Sequence, residues 1–287
     1  MSRVPYPRPF VPAAPGGGGA TLPDDPAAVL LDATAPGTLT GLDEAGVGTS
    51  YTPAAARQLL GLATDPGLPS SGLVALWRAS SLSLADGAPV GTWASSVGSL
   101  TLTGSGGSRP TYRAAGSPSG GPCVAFTGSH VLSCTPTGLP AGSGPGTIVA
   151  IVSRSVSVGS AYDHVVIYGD GNTAKARGLA SQNDVWKTHE WASSVVGPSS
   201  VPRTPAPRVL GHVYNGSAVA LWVDGAPVAS NSIALSTLLT ELCVGNRIAG
   251  GSQPGNFRLM ELAIYDRALT DAQWAQVMAH ARAAHGF

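Results

Sequence analysis

The densest run of side chains able to act on a ligand is DVWKTHEW, residues 184–191. On a strand, Trp186, Thr188 and Glu190 would share one face, and Lys187, His189 and Trp191 the other. A tryptophan beside polar groups suits a saccharide, because the indole desolvates one face of a sugar ring while donors and acceptors take its hydroxyls. The candidate glycan-binding residues are therefore Trp186, Lys187, His189, Glu190 and Trp191, with one indole at the surface and the other in the core. His212, on an apolar face, reads as a core histidine.

Catalysis has less to stand on. Glycoside hydrolysis commonly needs two carboxylates flanking the scissile bond. Glu261 and Asp266 are five residues apart and face opposite sides of a strand, and Glu190 has no carboxylate two residues away. Gly-x-Ser-x-Gly, His-Glu-x-x-His and Cys-x-x-Cys patterns are absent. The expectation is that the chain is not an enzyme. Asp163, Asp170 and Asn172 offer oxygens to calcium, but Asp-Gly-Asn at 170–172 reads first as a turn, so no metal or other cofactor is expected.

The elements that must position these residues are strands. Residues 208–231, RVLGHVYNGSAVALWVDGAPVASN, read as a three-stranded meander closed by two-residue loops at Asn215-Gly216 and Asp224-Gly225. That register sets Leu210 opposite Leu221 and Leu221 opposite Val228 on one face, with Val209 and Trp222 on the other. Both faces are apolar, so the meander belongs inside a stack of sheets. Pro227 cannot donate to a ladder and marks an edge or a bulge. Further strands are expected at 73–79, 146–155, 164–170, 174–181, 184–192, 241–246 and 257–266. A hairpin with Gly128-Ser129 as its loop would put Cys123 opposite Cys134, within reach of a cross-strand disulfide, although a chain folded in a cytoplasm favours two reduced, buried cysteines, while Cys243 reads as core. Thr270 and Gln273 form a capping box for a closing helix whose apolar stripe is Trp274, Val277, Met278 and Ala281.

The meander, with FTGSHVL at 126–132, LCVGNRIAGG at 242–251 and MELAIYDRALTDAQWAQV at 260–277, resembles concanavalin A-like lectin/glucanase domains of the laminin G type. The resemblance covers residues 72–287. It implies an all-β jelly-roll sandwich with a short C-terminal helix, a fold that hosts lectins, hydrolases, adhesins and structural modules alike.

Residues 1–27 are a Pro- and Gly-rich extended arm with Tyr6, Arg8 and Phe10 between prolines. Residues 28–66 read as an anchoring segment. Its short helix, 53–61, starts at Pro53, ends at Gly61 and uses Leu59 and Leu60 to dock. The phrase SYTPAAARQLLGLAT resembles segments of phage tail-fibre proteins. Among 287 residues, 16 are acidic and 16 basic, and only 11% are charged. With no basic stripe, nucleic acid is excluded as a partner. No signal-peptide core and no apolar run of 18 residues is present, so membrane insertion is not expected.

These features together predict a structural bacteriophage virion protein, a tail-fibre, baseplate or capsid-decorating component. It would be assembled in the host cytoplasm, multicopy or homo-oligomeric, and joined to other virion proteins through residues 1–66. Its lectin-like domain would face host glycans. The alternative is a soluble bacterial carbohydrate-binding module or lectin.

Overall fold

The computed structural model describes residues 39–42, 48–51, 65–154, 162–191, 206–248 and 253–286. The chain divides into two units, 1–64 and 65–287. In the first, β1 (Leu39–Leu42) pairs antiparallel with β2 (Gly48–Tyr51), a hairpin that the sequence reading did not anticipate. The expected helix at 53–61 and the anchoring residues Tyr6, Arg8, Phe10, Leu59 and Leu60 lie outside the described residues.

The second unit is an all-β sandwich of two antiparallel sheets with one C-terminal helix. The larger sheet holds β3 (Leu73–Arg78), β6 (Thr111–Arg113), β7 (Cys123–Phe126), β9 (Gly146–Arg154), β13 (Arg208–Tyr214), β14 (Ala218–Val223), β15 (Ala226–Ser232) and β17 (Phe257–Tyr265). Its order is β15-β14-β13-β9-β17-β7-β6, with β3 also paired to β17. The smaller sheet holds β4 (Thr92–Ala94), β5 (Thr101–Thr103), β8 (Leu132–Cys134), β10 (Asp163–Gly169), β11 (Ala176–Gln182), β12 (Val185–Thr188) and β16 (Glu241–Val244). It runs β12-β11-β10-β16-β8-β5-β4.

Between the sheets lie Trp77, Trp93, Trp186, Leu210, Tyr214 and Leu221, together with Phe126 stacked on Phe257 at 4.8 Å. The larger sheet buries its other face too, under α1 (Asp271–His285). Every residue of β9 is consequently buried, which explains the unbroken apolar run at its centre, 148–152. Trp274 of α1 stacks on Trp222 at 4.8 Å and 8° between planes. Gly211 makes room for it, since a Cβ there would stand 2.3 Å from the Trp274 ring. The α1 capping box forms as the sequence implies: the Thr270 hydroxyl accepts from Gln273 N, and the Gln273 side chain accepts from Thr270 N.

The meander folds with its faces as expected and its register altered. At the second turn Asp224 and Gly225 have φ of 51° and 82°, and Val223 pairs with Ala226, as a two-residue loop requires. At the first, Tyr214 pairs with Val219 and Leu210 with Val223. The reason is Asn215, whose Oδ1 accepts from both Ser217 N and Ala218 N and holds a four-residue loop. A shift of two keeps every side chain on its expected face. Pro227 sits on edge strand β15, where the register slips, so that Leu221 opposes Ala229 instead of Val228.

The expected hairpin around Gly128-Ser129 does not form. β7 belongs to the larger sheet and β8 to the smaller, so this segment crosses the sandwich. Cys123 and Cys134 are free and lie in different sheets. Burial pushes both thiols up to about 11, which keeps them protonated and unreactive at neutral pH.

Candidate functional site

β11 and β12 meet in a two-residue turn, Asn183-Asp184, both with positive φ (52° and 58°). Asp184 is held there by Arg154 at 2.6 Å. β12 formally ends at Thr188, but His189 N still donates to Gly178 O and Trp191 O accepts from Ala174 N. The alternation of side chains therefore continues to Trp191, dividing the candidate residues between two environments.

On the inner side, Trp186 is 1% exposed in the core between the sheets. A buried indole presents no face to a sugar, and its candidacy as a platform is corrected on that ground. Glu190 is also fully buried, with Oε1 lying 3.1 Å from Nε2 of the equally buried His212. Glu190 therefore cannot reach a sugar hydroxyl. His212 is a core histidine with a carboxylate facing it.

On the outer side, Lys187, His189 and Trp191 join three residues that the sequence reading missed: Tyr162, His164 and Arg247. His189 stacks on Trp191 with 5° between planes and 5.8 Å between centroids. The Arg247 guanidinium lies 4.8 Å from the Trp191 ring. Tyr162 stacks on His189 at 5.4 Å, and Lys187 Nζ donates to the Tyr162 hydroxyl at 3.0 Å and to Gln182 Oε1 at 3.1 Å. Lys187 is itself buried, so it acts on this cluster from beneath.

His164 Nε2 and His189 Nδ1 are 2.6 Å apart. Burial pushes His164 down to about 3, with His189, Arg247 and Lys187 adding to the effect. Burial likewise pushes His189 down to about 4, reinforced by Lys187 and Arg247. Both rings are neutral at pH 7, and one donates to the other.

Trp191 has φ of 59°. A left-handed conformation costs a non-glycine residue about 1–2 kcal/mol, and such strain gathers at binding sites. Nearby, Asn246 Oδ1 accepts from Arg247 N and Gln253 N, tying two short segments together. Arg247 Nε and Gln253 Oε1 are buried among the described residues without a partner. Among the described residues, one donor and one acceptor thus remain unsatisfied beside an aromatic stack.

The signal for these missed residues was weak. Tyr162 and His164 flank the start of β10, where a bulge between His164 and Val166 resets the face. Arg247 follows β16 in an irregular segment. Nothing in their local spacing pairs them with residues 187–191.

The calcium candidates do not assemble. Asp163 and Asp170 stand at opposite ends of β10, about 23 Å apart at the rise of a strand. Asp163 Oδ1 is occupied by Asn256 N at 2.7 Å, and Asn172 bonds to Asp170 within its turn. A concavity of about 540 Å³ lies elsewhere, against β4, and its lining of residues such as Ser81, Leu84, Thr92 and Ser95 includes no titratable side chain.

No protein-family model matches the chain, and no curated protein matches it. Solved structures do. The sialidase of Trypanosoma rangeli with 2,3-difluorosialic acid, a covalent intermediate, matches with TM-score 0.53 and 13% identity over 74% of this chain and 33% of that one. The same sialidase with sialic acid gives 0.51 and 14% over 84% and 35%. The binding domain of Paraclostridial Mosquitocidal Protein 1 gives 0.52 and 15% over 72% and 52%. The chain spans about a third of the sialidase structures and about half of the mosquitocidal one. At these identities the likeness is one of fold, and that fold is a β-sandwich.

This finding overturns the expectation that the chain is not an enzyme. The solved structures that share its fold include sialidases, so the fold gives no ground for excluding catalysis.

Proposed function

We propose that the sandwich is a carbohydrate-binding module whose outer-face stack takes a glycan bearing a carboxylate. The observation that carries this reading is the position of Arg247, lying over the half-buried Trp191 with its Nε–H unsatisfied among the described residues. An indole supplies the apolar contact for a sugar ring. A guanidinium beside it matches a carboxylate in shape and charge. The solved relatives support the choice of ligand class, since the sialidase was solved with sialic acid and the mosquitocidal protein's domain is a binding domain.

The test is a calorimetric titration with a sialylated trisaccharide and its desialylated counterpart. The sialylated ligand should bind more tightly. Arg247→Gln should weaken it about ten- to a hundred-fold, as loss of a hydrogen bond to a charged group does, and leave the neutral ligand unchanged. Equal binding of both ligands by the unaltered chain would refute the acidic class, and binding of neither would refute the proposal.

A virion role is the second reading, and what favours it is the sequence of residues 1–66. The Pro-rich arm with Tyr6, Arg8 and Phe10 suits attachment to a neighbouring subunit. The relatives named above lend support to carbohydrate binding and none to the virion. Removing residues 1–66 tests it: a sandwich that stays folded but no longer incorporates into a particle supports anchoring.

A further inference from the structure

We infer that Glu261, His280 and His285 form a binding site for a divalent transition-metal ion of the zinc class, between α1 and the outer face of β17. His280 Nε2 is 3.0 Å from Glu261 Oε2, and His285 Nε2 is 3.2 Å from Glu261 Oε1. The three ligand atoms lie within 4.8 Å of one another. A tetrahedral ion with bonds of about 2.0–2.2 Å holds its ligands about 3.3 Å apart. Each imidazole nitrogen stands at about that separation from one of the two Glu261 carboxylate oxygens, and a shared ion requires the two imidazoles to draw together about the carboxylate.

Asp65 Oδ1 lies 2.7 Å from His280 Nδ1, placed to accept from it when Nε2 is the ligand atom. With Nδ1–H donating to Asp65, the Nε2 lone pair points at a carboxylate oxygen. An ion between them would take that nitrogen and a carboxylate oxygen as ligands. A histidine ligand whose other nitrogen donates to a carboxylate is the usual outer arrangement of a zinc site.

Chemistry selects the ion. Two imidazoles and one carboxylate suit zinc and its neighbours, whereas calcium and magnesium prefer oxygen ligands throughout. Glu261 and His280 are 4% and 2% exposed, so their attraction for a cation is little screened by water. Arg78 opposes the ion, with Nε 3.4 Å from Glu261 Oε1, but its side chain is one-third exposed and can turn outward. The ion would tie the last turn of α1 to the middle of the sheet, so binding would stabilise the fold.

The experiment titrates Zn2+ alone into the full chain by calorimetry, with thermal unfolding in parallel, and uses Co2+ as a spectroscopic probe. One ion should bind per chain, raise Tm, and give visible Co2+ bands of nitrogen and oxygen ligation. His285→Ala, at the end of α1, should weaken Zn2+ at least ten-fold and abolish the bands. Asp65→Asn should weaken it about 10–100-fold, while Arg78→Gln should bind as tightly or more so. His189→Gln, in the other histidine cluster, should change nothing. Absence of stoichiometric binding, an unchanged isotherm in His285→Ala, or loss of binding in His189→Gln would overturn the site.

Discussion

His164 Nε2 and His189 Nδ1 share a 2.6 Å hydrogen bond between two imidazoles that remain neutral at pH 7. Folding holds their pKa values at about 3 and about 4, whereas the unfolded chain titrates near about 6.5. Below that value the unfolded state binds more protons, so stability falls as pH drops from about 6.5 towards 4. Each histidine contributes at most about 1.4 kcal/mol per pH unit in that window. Urea midpoints at pH 7 and pH 5 should differ accordingly, and His189→Gln should reduce the difference. A pH dependence identical in the variant would contradict the assignment.

Glu190 and His212 occupy the interior as a pair. Glu190→Leu alone strands a buried histidine and should cost about 3–5 kcal/mol, whereas replacing both residues by leucine should cost far less. Chemical denaturation of the single and double variants measures the coupling, and additive costs would show that the two do not interact.

Trp186 packs between the sheets, so Trp186→Ala should cost about 3–5 kcal/mol. Wherever the variant remains folded, its affinity for glycan should be retained. A loss of binding without a loss of stability would return Trp186 to the binding face.

Thr270→Ala removes the capping hydroxyl of α1 and should cost about 1 kcal/mol. Thermal unfolding that is unchanged would show that Trp274 and Val277 fix the helix without its cap.

Much of the sandwich was legible because its signals are local. Asp224-Gly225 dictates its own turn, the unbroken apolar run 148–152 of β9 announces a strand buried on both faces, and Thr270 with Gln273 starts the helix. The alternation through residues 186–191 likewise separated Trp186 from Trp191. Features set by other parts of the chain were not legible. Asn215 extended its loop through a side chain, and three-residue strands such as β4, β5 and β6 are too short to carry a period. The crossing from β7 to β8 is decided by which sheet each joins, a long-range matter. Arg247 and Tyr162 reach Trp191 and His189 from distant strands, and Glu261 meets His280 only when α1 docks.

The central claim is that Trp191 presents the glycan-binding surface. Trp191→Ala removes a half-buried side chain at the surface and leaves the core between the sheets untouched, so the sandwich should remain folded. Calorimetric titration with the sialylated trisaccharide, beside circular dichroism of the same sample, should show binding weakened about ten-fold or more, a loss of about 1.4 kcal/mol or greater, with the β spectrum retained. Undiminished affinity in a folded Trp191→Ala protein would contradict the account.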